Sequence, residues 1–258
     1  MPIRALELLV LSDIHLGTPS CQARSLLRYL DSVRPKRLVL NGDILDLWHI
    51  RNSYWPDDHA AILARFFAWS TSGTEVTYLT GNHDGALRRW CGSMIGKVAI
   101  ANELLLDLDG KRVLFEHGDG IEAAMGGRLL RSVGGVGYDV LLYIDRFADR
   151  ATRLLGLRPA SLSQRIKRHI PGAASYIAAF ERAAARHAHA NGCDAIVCGH
   201  VHQPVSRELV IDGRTIGYHN SGDWVEHGTA LEYQDGAWTL MSVDDVLSGA
   251  MLRGEQAA

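Results

Sequence analysis

The sequence has almost no excess of either charge, few cysteines and no long apolar run. Its 27 basic and 29 acidic side chains leave a formal net charge of −2, so no nucleic-acid partner is expected. The four cysteines show neither a CxxC pair nor a zinc-finger spacing, and no signal-peptide pattern precedes them. Reduced thiols in the cytoplasm are therefore expected. No apolar run is long enough to span a bilayer, which leaves peripheral attachment open.

Length and hydrophobicity indicate one globular domain. With 258 residues and 47% hydrophobic side chains, the chain is long enough to bury a large core. We expect a single domain over residues 1–242 and a frayed tail over residues 243–258, because that last stretch is small and polar. The unusual feature of the composition is histidine, which occurs 12 times.

Five short apolar segments that have the composition of buried strands end in Asp, Asn or His. The segments are 6–11, 37–40, 75–79, 111–115 and 194–198, and the polar residues that follow them are Asp13, His15, Asp43, Asn82, His83, Asp84, His117, His200 and His202. Each motif alone is also compatible with a turn, a helix cap or a core histidine. The recurrence of the pattern favours a shared site.

The remaining segments predict helices between the first strands and strand pairs at the end. A helix over about 21–33 ends before Pro35, and Asp57 or Asp58 caps a second helix with Ile62, Phe66 and Trp69 on its apolar face. An alanine-rich helix covers residues 173–190. Asp-Gly pairs at 109–110, 212–213 and 235–236 predict tight hairpin turns between the later strands.

In sheets covered by helices, ligands bind beyond the carboxyl ends of the strands. The Asp, Asn and His residues of the five motifs are predicted to lie at those ends. Seven oxygen and nitrogen donors without cysteine are too many for one tetrahedral zinc ion but suit two hexacoordinate divalent ions. Asp43 is the natural bridge between them. Two such ions, roughly 3.5–4 Å apart, would bind a phosphoryl oxygen and clamp an in-line attack on phosphorus.

These motifs resemble, in order, the five sequence blocks of the calcineurin-like metallophosphoesterases. The resemblance implies an α/β fold, the four-layer α/β-β-α sandwich, with a helical cap insertion. It assigns Asp13, His15, Asp43 and His202 to one metal and Asp43, Asn82, His117 and His200 to the other. Mn²⁺ is the implied ion, with Fe²⁺ and Zn²⁺ as alternatives. His83, oriented by Asp84, is implied to stabilise the transition state or to protonate the leaving oxygen.

Within that superfamily the chain resembles the UDP-2,3-diacylglucosamine pyrophosphatase group of lipid A synthesis. The resemblance rests on length, on the start at Asp13-Ile14-His15-Leu16-Gly17, on an insertion after His117-Gly118-Asp119, and on Gly199-His200-Val201-His202-Gln203-Pro204. In the pyrophosphatases the corresponding motif is similar to Gly-Asn-Arg-Asp, whereas this chain has Gly81-Asn82-His83-Asp84. Histidine at this position resembles general phosphoesterases and a paralogous branch of the group. Arginine is a permanent cation, whereas histidine titrates near neutrality and can transfer a proton.

The composition changes over residues 121–172, which we interpret as a helical cap insertion. Seven basic residues mixed with leucine and isoleucine lie between positions 146 and 168, as in an amphipathic basic helix pair. If the apolar stripe faces the metals, it forms a cap for acyl chains, with Arg165, Lys167 or Arg168 contacting phosphate or anionic lipid. The alternative is a solvated helix face packed by leucines, which leaves the site open to soluble substrates.

The expected function is hydrolysis of a phosphodiester or pyrophosphate bond by a dinuclear metal site. The substrate implied by the resemblance is UDP-2,3-diacylglucosamine or a related lipid-linked phosphate, at the inner membrane surface. One alternative is a soluble phosphodiesterase or phosphatase with a non-lipid substrate. Another is a catalytically silent binding module of the same fold, which the complete set of ligands and His83 disfavours. The sequence indicates no particular oligomeric state.

Overall fold

The structure, a computed structural model, describes residues 3–48, 54–129 and 173–248. One sheet contains β1 (Arg4–Leu11), β2 (Val33–Asn41), β3 (Glu75–Leu79), β4 (Met94–Ile95), β5 (Val98–Ala101), β11 (Thr229–Gln234) and β12 (Ala237–Ser242). The other contains β6 (Glu103–Leu108), β7 (Lys111–Glu116), β8 (Ala195–Cys198), β9 (Val205–Ile211) and β10 (Arg214–Asn220). The strand orders are β12-β11-β1-β2-β3-β5-β4 and β6-β7-β8-β10-β9.

The helices are α1 (Ala23–Asp31), α2 (Asp57–Thr71), α3 (Asp119–Leu129), α4 (Ala173–Ala190) and α5 (Val243–Ser248), with a short 3₁₀ helix at Gly85–Trp90. Strands β1, β2, β3 and β5 are parallel, as are β7, β8 and β10. Strands buried on both faces are continuous apolar runs, as in the last four residues of β1 and in all of β8. The parallel arrangement brings the carboxyl ends of these strands to one edge of each sheet.

Three cores separate four layers. Residues such as Leu26 and Phe66 pack α1 and α2 on the outer face of the seven-stranded sheet. Val39 and Phe115 belong to the core between the two sheets, and Phe180 of α4 packs on the outer face of the five-stranded sheet. Full burial of one such side chain contributes about 1.5–3 kcal/mol. The predicted four-layer α/β-β-α architecture is confirmed.

The three Asp-Gly turns are also confirmed. Asp109, Asp212 and Asp235 have φ values of 51°, 49° and 52°, and the glycine after each of them also has a positive φ. Two successive positive φ angles are typical of the type I′ turn, whose twist matches that of the flanking strands.

Several predicted boundaries differ from the structure. Helix α1 begins at Ala23 instead of residue 21. Strand β2 extends back through Pro35, which is tolerated because β3 pairs with β2 only from Arg37 onward. Among the described residues no side-chain hydrogen bond caps α2, whose N-cap position is Pro56. Asp58 pairs with Arg24 instead, at 3.0 Å.

The prediction of a frayed tail from residue 243 was wrong for residues 243–248. Residues 243–248 form α5, whose Val243 and Val246 are buried in the core that also contains Leu26 of α1. Burial of these two apolar side chains offsets the weak helix signal of a short, polar segment. Residues 249–258 lie outside the described part of the chain.

Of the helical cap insertion predicted over residues 121–172, the structure describes only residues 121–129, which belong to α3. Residues 130–172 lie outside the described residues, and so do the predicted contacts Arg165, Lys167 and Arg168. Within the described ranges, no helix is both long and apolar enough to cross a membrane.

Candidate active site

The loops after β1, β2, β3, β7 and β8 meet where the edges of the two sheets approach each other. The backbone N–H groups of Asp13 and His15 donate to the carbonyl oxygens of Gly42 and Asp43, at 3.1 and 2.9 Å. The backbone N–H of His200, in the second sheet, donates to Asp13 Oδ2 at 3.0 Å. These bonds join loops that are far apart in sequence, so the polar residues predicted at the strand ends do lie together.

The backbone of these loops is left-handed at five predicted ligands. Asp13, His15, Asp43, His200 and His202 have φ values of 51°, 53°, 53°, 67° and 50°. A residue with a Cβ in this region costs on the order of 1–2 kcal/mol relative to an ordinary conformation. Such residues persist only where the surroundings hold them, and they cluster at functional sites.

Glycines allow the loops to approach this closely. A Cβ on Gly42 would lie 2.3 Å from His117 Nδ1, and one on Gly81 would lie 2.2 Å from Asp43 Oδ1. A Cβ on Gly199 would lie 2.4 Å from Asp13 Oδ2. Only glycine fits at these positions without displacing a predicted ligand.

Asp13, His15 and His202 form one ligand group. Their ligand atoms all lie within 4.8 Å of one another. The two imidazole Nε2 atoms face each other at 3.4 Å, and His202 Nε2 lies 3.1 Å from Asp13 Oδ1. Two ring nitrogens and a carboxylate oxygen therefore point to one location.

Asp13, Asp43 and His117 form a second group that shares Asp13 with the first. His117 Nε2 lies 3.2 Å from Asp43 Oδ2. The His200 ring lies 5.2 Å from the His117 ring, centroid to centroid. Asn82, in the loop after β3, is half-buried, and its Oδ1 atom is fully enclosed. His200 therefore lies beside the second group, and the loop that carries Asn82 is bonded to it through the His83 backbone N–H, which donates to Asp43 Oδ1 at 2.7 Å.

Three enclosed atoms make no hydrogen bond among the described residues: Asp13 Oδ1, Asn82 Oδ1 and His117 Nε2. Two of them lie within ion-pair distance of another predicted ligand, Asp13 Oδ1 of His202 and His117 Nε2 of Asp43. A buried polar atom without a hydrogen bond costs about 1–3 kcal/mol, so three such atoms in adjoining loops require an explanation. A divalent cation supplies one, since it takes carboxylate, amide and imidazole donors together. The residues present fit the metal that the motifs imply.

The charges at the centre are mutually compensating. Burial disfavours a charged Asp43, but the adjacent His117 outweighs this and holds the pKa of the Asp43 carboxyl well below its usual value. Burial likewise lowers the pKa of His117, but Asp43 and Asp13 raise it well above that of an ordinary histidine. A metal ion would replace the proton on His117, because an imidazole binds metal only when neutral.

His83 forms a third group with His15 of the first and Asp43 of the second, again with all ligand atoms within 4.8 Å of one another. Its ring is in edge contact with His15, with centroids 4.6 Å apart, and its Nε2 lies 4.0 Å from Asp43 Oδ2. Its backbone N–H donates to Asp43 Oδ1 at 2.7 Å. On the solvent side the half-exposed Trp48 ring stacks over it at 4.0 Å. His83 is therefore fixed at the rim of the site with one edge toward the ligands.

The partner of the His83 ring is Asp46, and the predicted role of Asp84 as its orienter was wrong. His83 Nδ1 lies 3.0 Å from Asp46 Oδ2. Asp84 is turned into the protein, where it accepts hydrogen bonds from the Gly81 N–H at 2.6 Å, the Ile44 N–H at 3.0 Å and the Tyr78 hydroxyl at 2.5 Å. Burial and the neighbouring Asp43 carboxylate raise the pKa of Asp84. Asp84 holds the loop together instead.

A sixth loop that we did not assign to the site supports it from the end of β10. The Ser12 hydroxyl lies 2.7 Å from the Ser221 hydroxyl, and the Trp224 N–H donates to the Asp13 carbonyl at 3.0 Å. Asp223 is fully buried and pairs with His227 at 2.5 Å. The available signal was the polar run 220–224 at the end of a strand, the same pattern that marked the other five loops.

Comparison with known proteins agrees with this geometry. A family model described as calcineurin-like phosphoesterase matches residues 6–204, a span that contains every predicted ligand. The chain belongs to the calcineurin-like phosphoesterase family. It is a metal-dependent phosphoester hydrolase, as predicted, and the family implies divalent metal ions.

Similar curated proteins cover nearly the whole chain. The chain is 27% identical to the UDP-2,3-diacylglucosamine hydrolase of Aeromonas salmonicida, over 90% of this chain and 91% of that protein. It is 26% identical to the UDP-2,3-diacylglucosamine hydrolase of Stenotrophomonas maltophilia, over 90% and 96%. Among solved structures, the phosphoesterase Yfce from E. coli aligns with a TM-score of 0.46 at 16% identity, over 92% of this chain and 93% of that one.

Proposed function

We propose that this phosphoesterase holds two divalent ions at the strand ends and uses them to hydrolyse a phosphodiester or pyrophosphate bond. The first ion is assigned to Asp13, His15, Asp43 and His202, and the second to Asp43, Asn82, His117 and His200. The observation that carries the proposal is the convergence of predicted ligands in groups whose ligand atoms lie within 4.8 Å of one another, together with three enclosed atoms that make no hydrogen bond, Asp13 Oδ1, Asn82 Oδ1 and His117 Nε2. Mn²⁺ is the proposed metal, and Fe²⁺ or Zn²⁺ would suit the same donors.

The bound ions would supply Lewis-acid charge to the phosphoryl group and a water of lowered pKa. The side chains of the chain supply position and proton transfer. Asp46 holds His83 Nδ1, which leaves Nε2 as the nitrogen that faces the ligands. We assign His83 Nε2 to the leaving oxygen, which it protonates or stabilises as charge develops.

The proposed substrate is UDP-2,3-diacylglucosamine or a related lipid-linked phosphate. Two curated relatives that align along nearly their whole length carry the name UDP-2,3-diacylglucosamine hydrolase, which supports this class. The basic and apolar composition of residues 146–168 suits acyl chains and an anionic lipid surface, with Arg165, Lys167 and Arg168 as proposed contacts. The enzyme would then work in the cytoplasm as a peripheral protein of the inner membrane.

A soluble phosphodiester is the second candidate substrate, and His83 favours it. The motif of the pyrophosphatase group that this chain resembles has arginine at this position. A neutral imidazole cannot provide the permanent charge and forked donors of a guanidinium. A histidine that donates a proton suits a leaving alkoxide or phenoxide, which needs protonation more than a leaving phosphate does.

A hydrolysis panel with the Mn²⁺-loaded protein separates the two candidates. The panel compares UDP-2,3-diacylglucosamine, other lipid-linked phosphates and soluble aryl phosphodiesters, each with and without detergent. We expect the highest kcat/KM for the UDP-lipid, together with dependence on detergent or lipid. Higher kcat/KM for soluble diesters, unaffected by detergent, would establish the second candidate. No turnover of any substrate by metal-loaded protein would favour a binding module.

A further inference from the structure

Glu122, on the first turn of α3, lies against the predicted ligand His200. Its Oε2 atom is 2.6 Å from His200 Nε2. The family motifs do not include this residue, which lies five positions after His117. A carboxylate only accepts hydrogen bonds, so His200 must carry its proton on Nε2.

The same arrangement recurs at two other predicted ligands. His117 Nδ1 lies 2.9 Å from the Asn41 carbonyl oxygen, which leaves Nε2 toward Asp43. His15 Nδ1 lies 3.4 Å from Asp46 Oδ2, which leaves Nε2 toward Asp13 and His202. In each case an oxygen acceptor holds one ring nitrogen and turns the other toward the ligand group. Metal-binding histidines are oriented in this way, by an acceptor on the nitrogen that does not bind the metal.

Glu122 holds the opposite nitrogen of His200, which leaves Nδ1 as the atom available to a metal. The rest of His200 is already fixed. Its backbone N–H is bonded to Asp13 Oδ2 at 3.0 Å, and its ring lies 5.2 Å from the His117 ring and 6.2 Å from the Phe180 ring. With backbone and ring packed, the Glu122 contact decides the tautomer and the rotation of the imidazole.

Glu122 is in turn held by Tyr176 of α4, whose hydroxyl donates to the second carboxylate oxygen, Oε1. Helices α3 and α4 border residues 130–172, so the contact between Glu122 and Tyr176 joins the two ends of the insertion. The packing of these two helices is thereby linked to a predicted ligand of the second metal.

We propose that Glu122 is a positioning residue for the second metal ion, fixing His200 with Nδ1 toward the metal, and that Tyr176 keeps Glu122 in place. The proposal rests on the two-metal site proposed above. It predicts that the anchoring of the insertion at its two borders controls occupancy of one metal position and leaves the other unchanged.

The test measures Mn²⁺ binding by calorimetry and by metal content per chain in purified variants. Glu122→Ala should lower the affinity for one of the two ions by about 10- to 100-fold and leave the other ion at wild-type affinity. Glu122→Gln keeps an acceptor oxygen and should lose less, and Tyr176→Phe should also lose less. Glu181→Gln is the matched control, because Glu181 is a carboxylate on α4 that pairs with Arg207 and not with His200. It should bind both ions normally.

Each other outcome contradicts the proposal. Glu122→Ala could bind both ions with wild-type affinity or lose affinity for both equally. Glu122→Gln could lose as much affinity as Glu122→Ala, or Glu181→Gln could show the same loss. Thermal unfolding of each variant shows whether the fold is retained. If wild-type protein binds fewer than two ions, the two-metal function fails and this proposal fails with it. If wild-type protein binds two ions and Glu122→Ala does too, only the role of Glu122 is wrong.

Discussion

Aspartates with a left-handed backbone occur in two regions of this molecule, at hairpin turns and at the predicted ligand loops. In the turns, Asp212 and Asp235 precede a glycine, and the conformation reverses the chain. In the loops, Asp13 and Asp43 precede isoleucine, are buried and lie among other ligands. The φ values are nearly the same, 49–53°. Local sequence accounts for the turns, whereas only the surrounding site accounts for the buried pair.

Among these predictions, removal of the Asp43 charge should have the largest effect on turnover and metal content. Asp43→Asn keeps the side-chain volume but removes the carboxylate that both proposed ions share. Metal charge contributes several kcal/mol to transition-state stabilisation, so turnover should fall by about 10³- to 10⁴-fold, with loss of bound metal. Metal content and hydrolysis in Mn²⁺ measure this. Asp212→Asn, in a turn, is the control and should keep full activity and metal. Wild-type turnover by Asp43→Asn would disprove the shared-ligand role.

Replacing His83 separates chemistry from metal binding. His83→Ala should lower kcat by about 10²- to 10³-fold, because a positioned acid contributes on that scale, while the ions per chain stay at the wild-type number. Initial rates and metal analysis on the same preparation give both values. If metal content fell in proportion to activity, His83 would be a ligand or a structural residue.

Two glycines with the same φ distinguish backbone strain in a turn from a steric clash in the site. Gly42, beside Asp43, and Gly213, in a hairpin turn, both have φ of 81°. Gly213 has open space around its Cβ position, so Gly213→Ala should cost only the backbone strain, about 1 kcal/mol, without loss of activity. Gly42→Ala carries the same strain and also drives a Cβ into His117.

For Gly42→Ala we therefore expect a larger loss of stability and a loss of metal binding. Denaturant unfolding and metal content of the two variants, measured in parallel, give the comparison. Equal effects of the two substitutions on both quantities would show that the loop after β2 is an ordinary turn.

The sequence was sufficient to predict the buried strands and the loops that carry the site, because both depend on local pattern. Buried strands have a clear apolar signature, and parallel strands bring their carboxyl ends together, so the loop positions followed from the order of the motifs. The partner of His83 did not follow. Asp84 is adjacent in sequence but turned inward, while Asp46 approaches from a different loop. Which of two carboxylates contacts an imidazole depends on packing across the molecule.

Glu122 shows the same limit. It occurs in a segment that the sequence predicts to be the start of an insertion, and nothing in that segment indicates a contact with His200, 78 positions later. Such supporting residues are selected by three-dimensional position and not by a local pattern. The helix over 243–248 was missed for a related reason, since its two valines matter only because a core is present to receive them.

The most direct test of the central claim is the number of metal ions bound by the wild-type protein. The convergence of the predicted ligands from five loops predicts close to two Mn²⁺ ions per chain after reconstitution and removal of loose metal, with activity lost on chelation and restored by Mn²⁺. A protein that is fully active with no bound metal, or that binds a single ion at saturation, would contradict it.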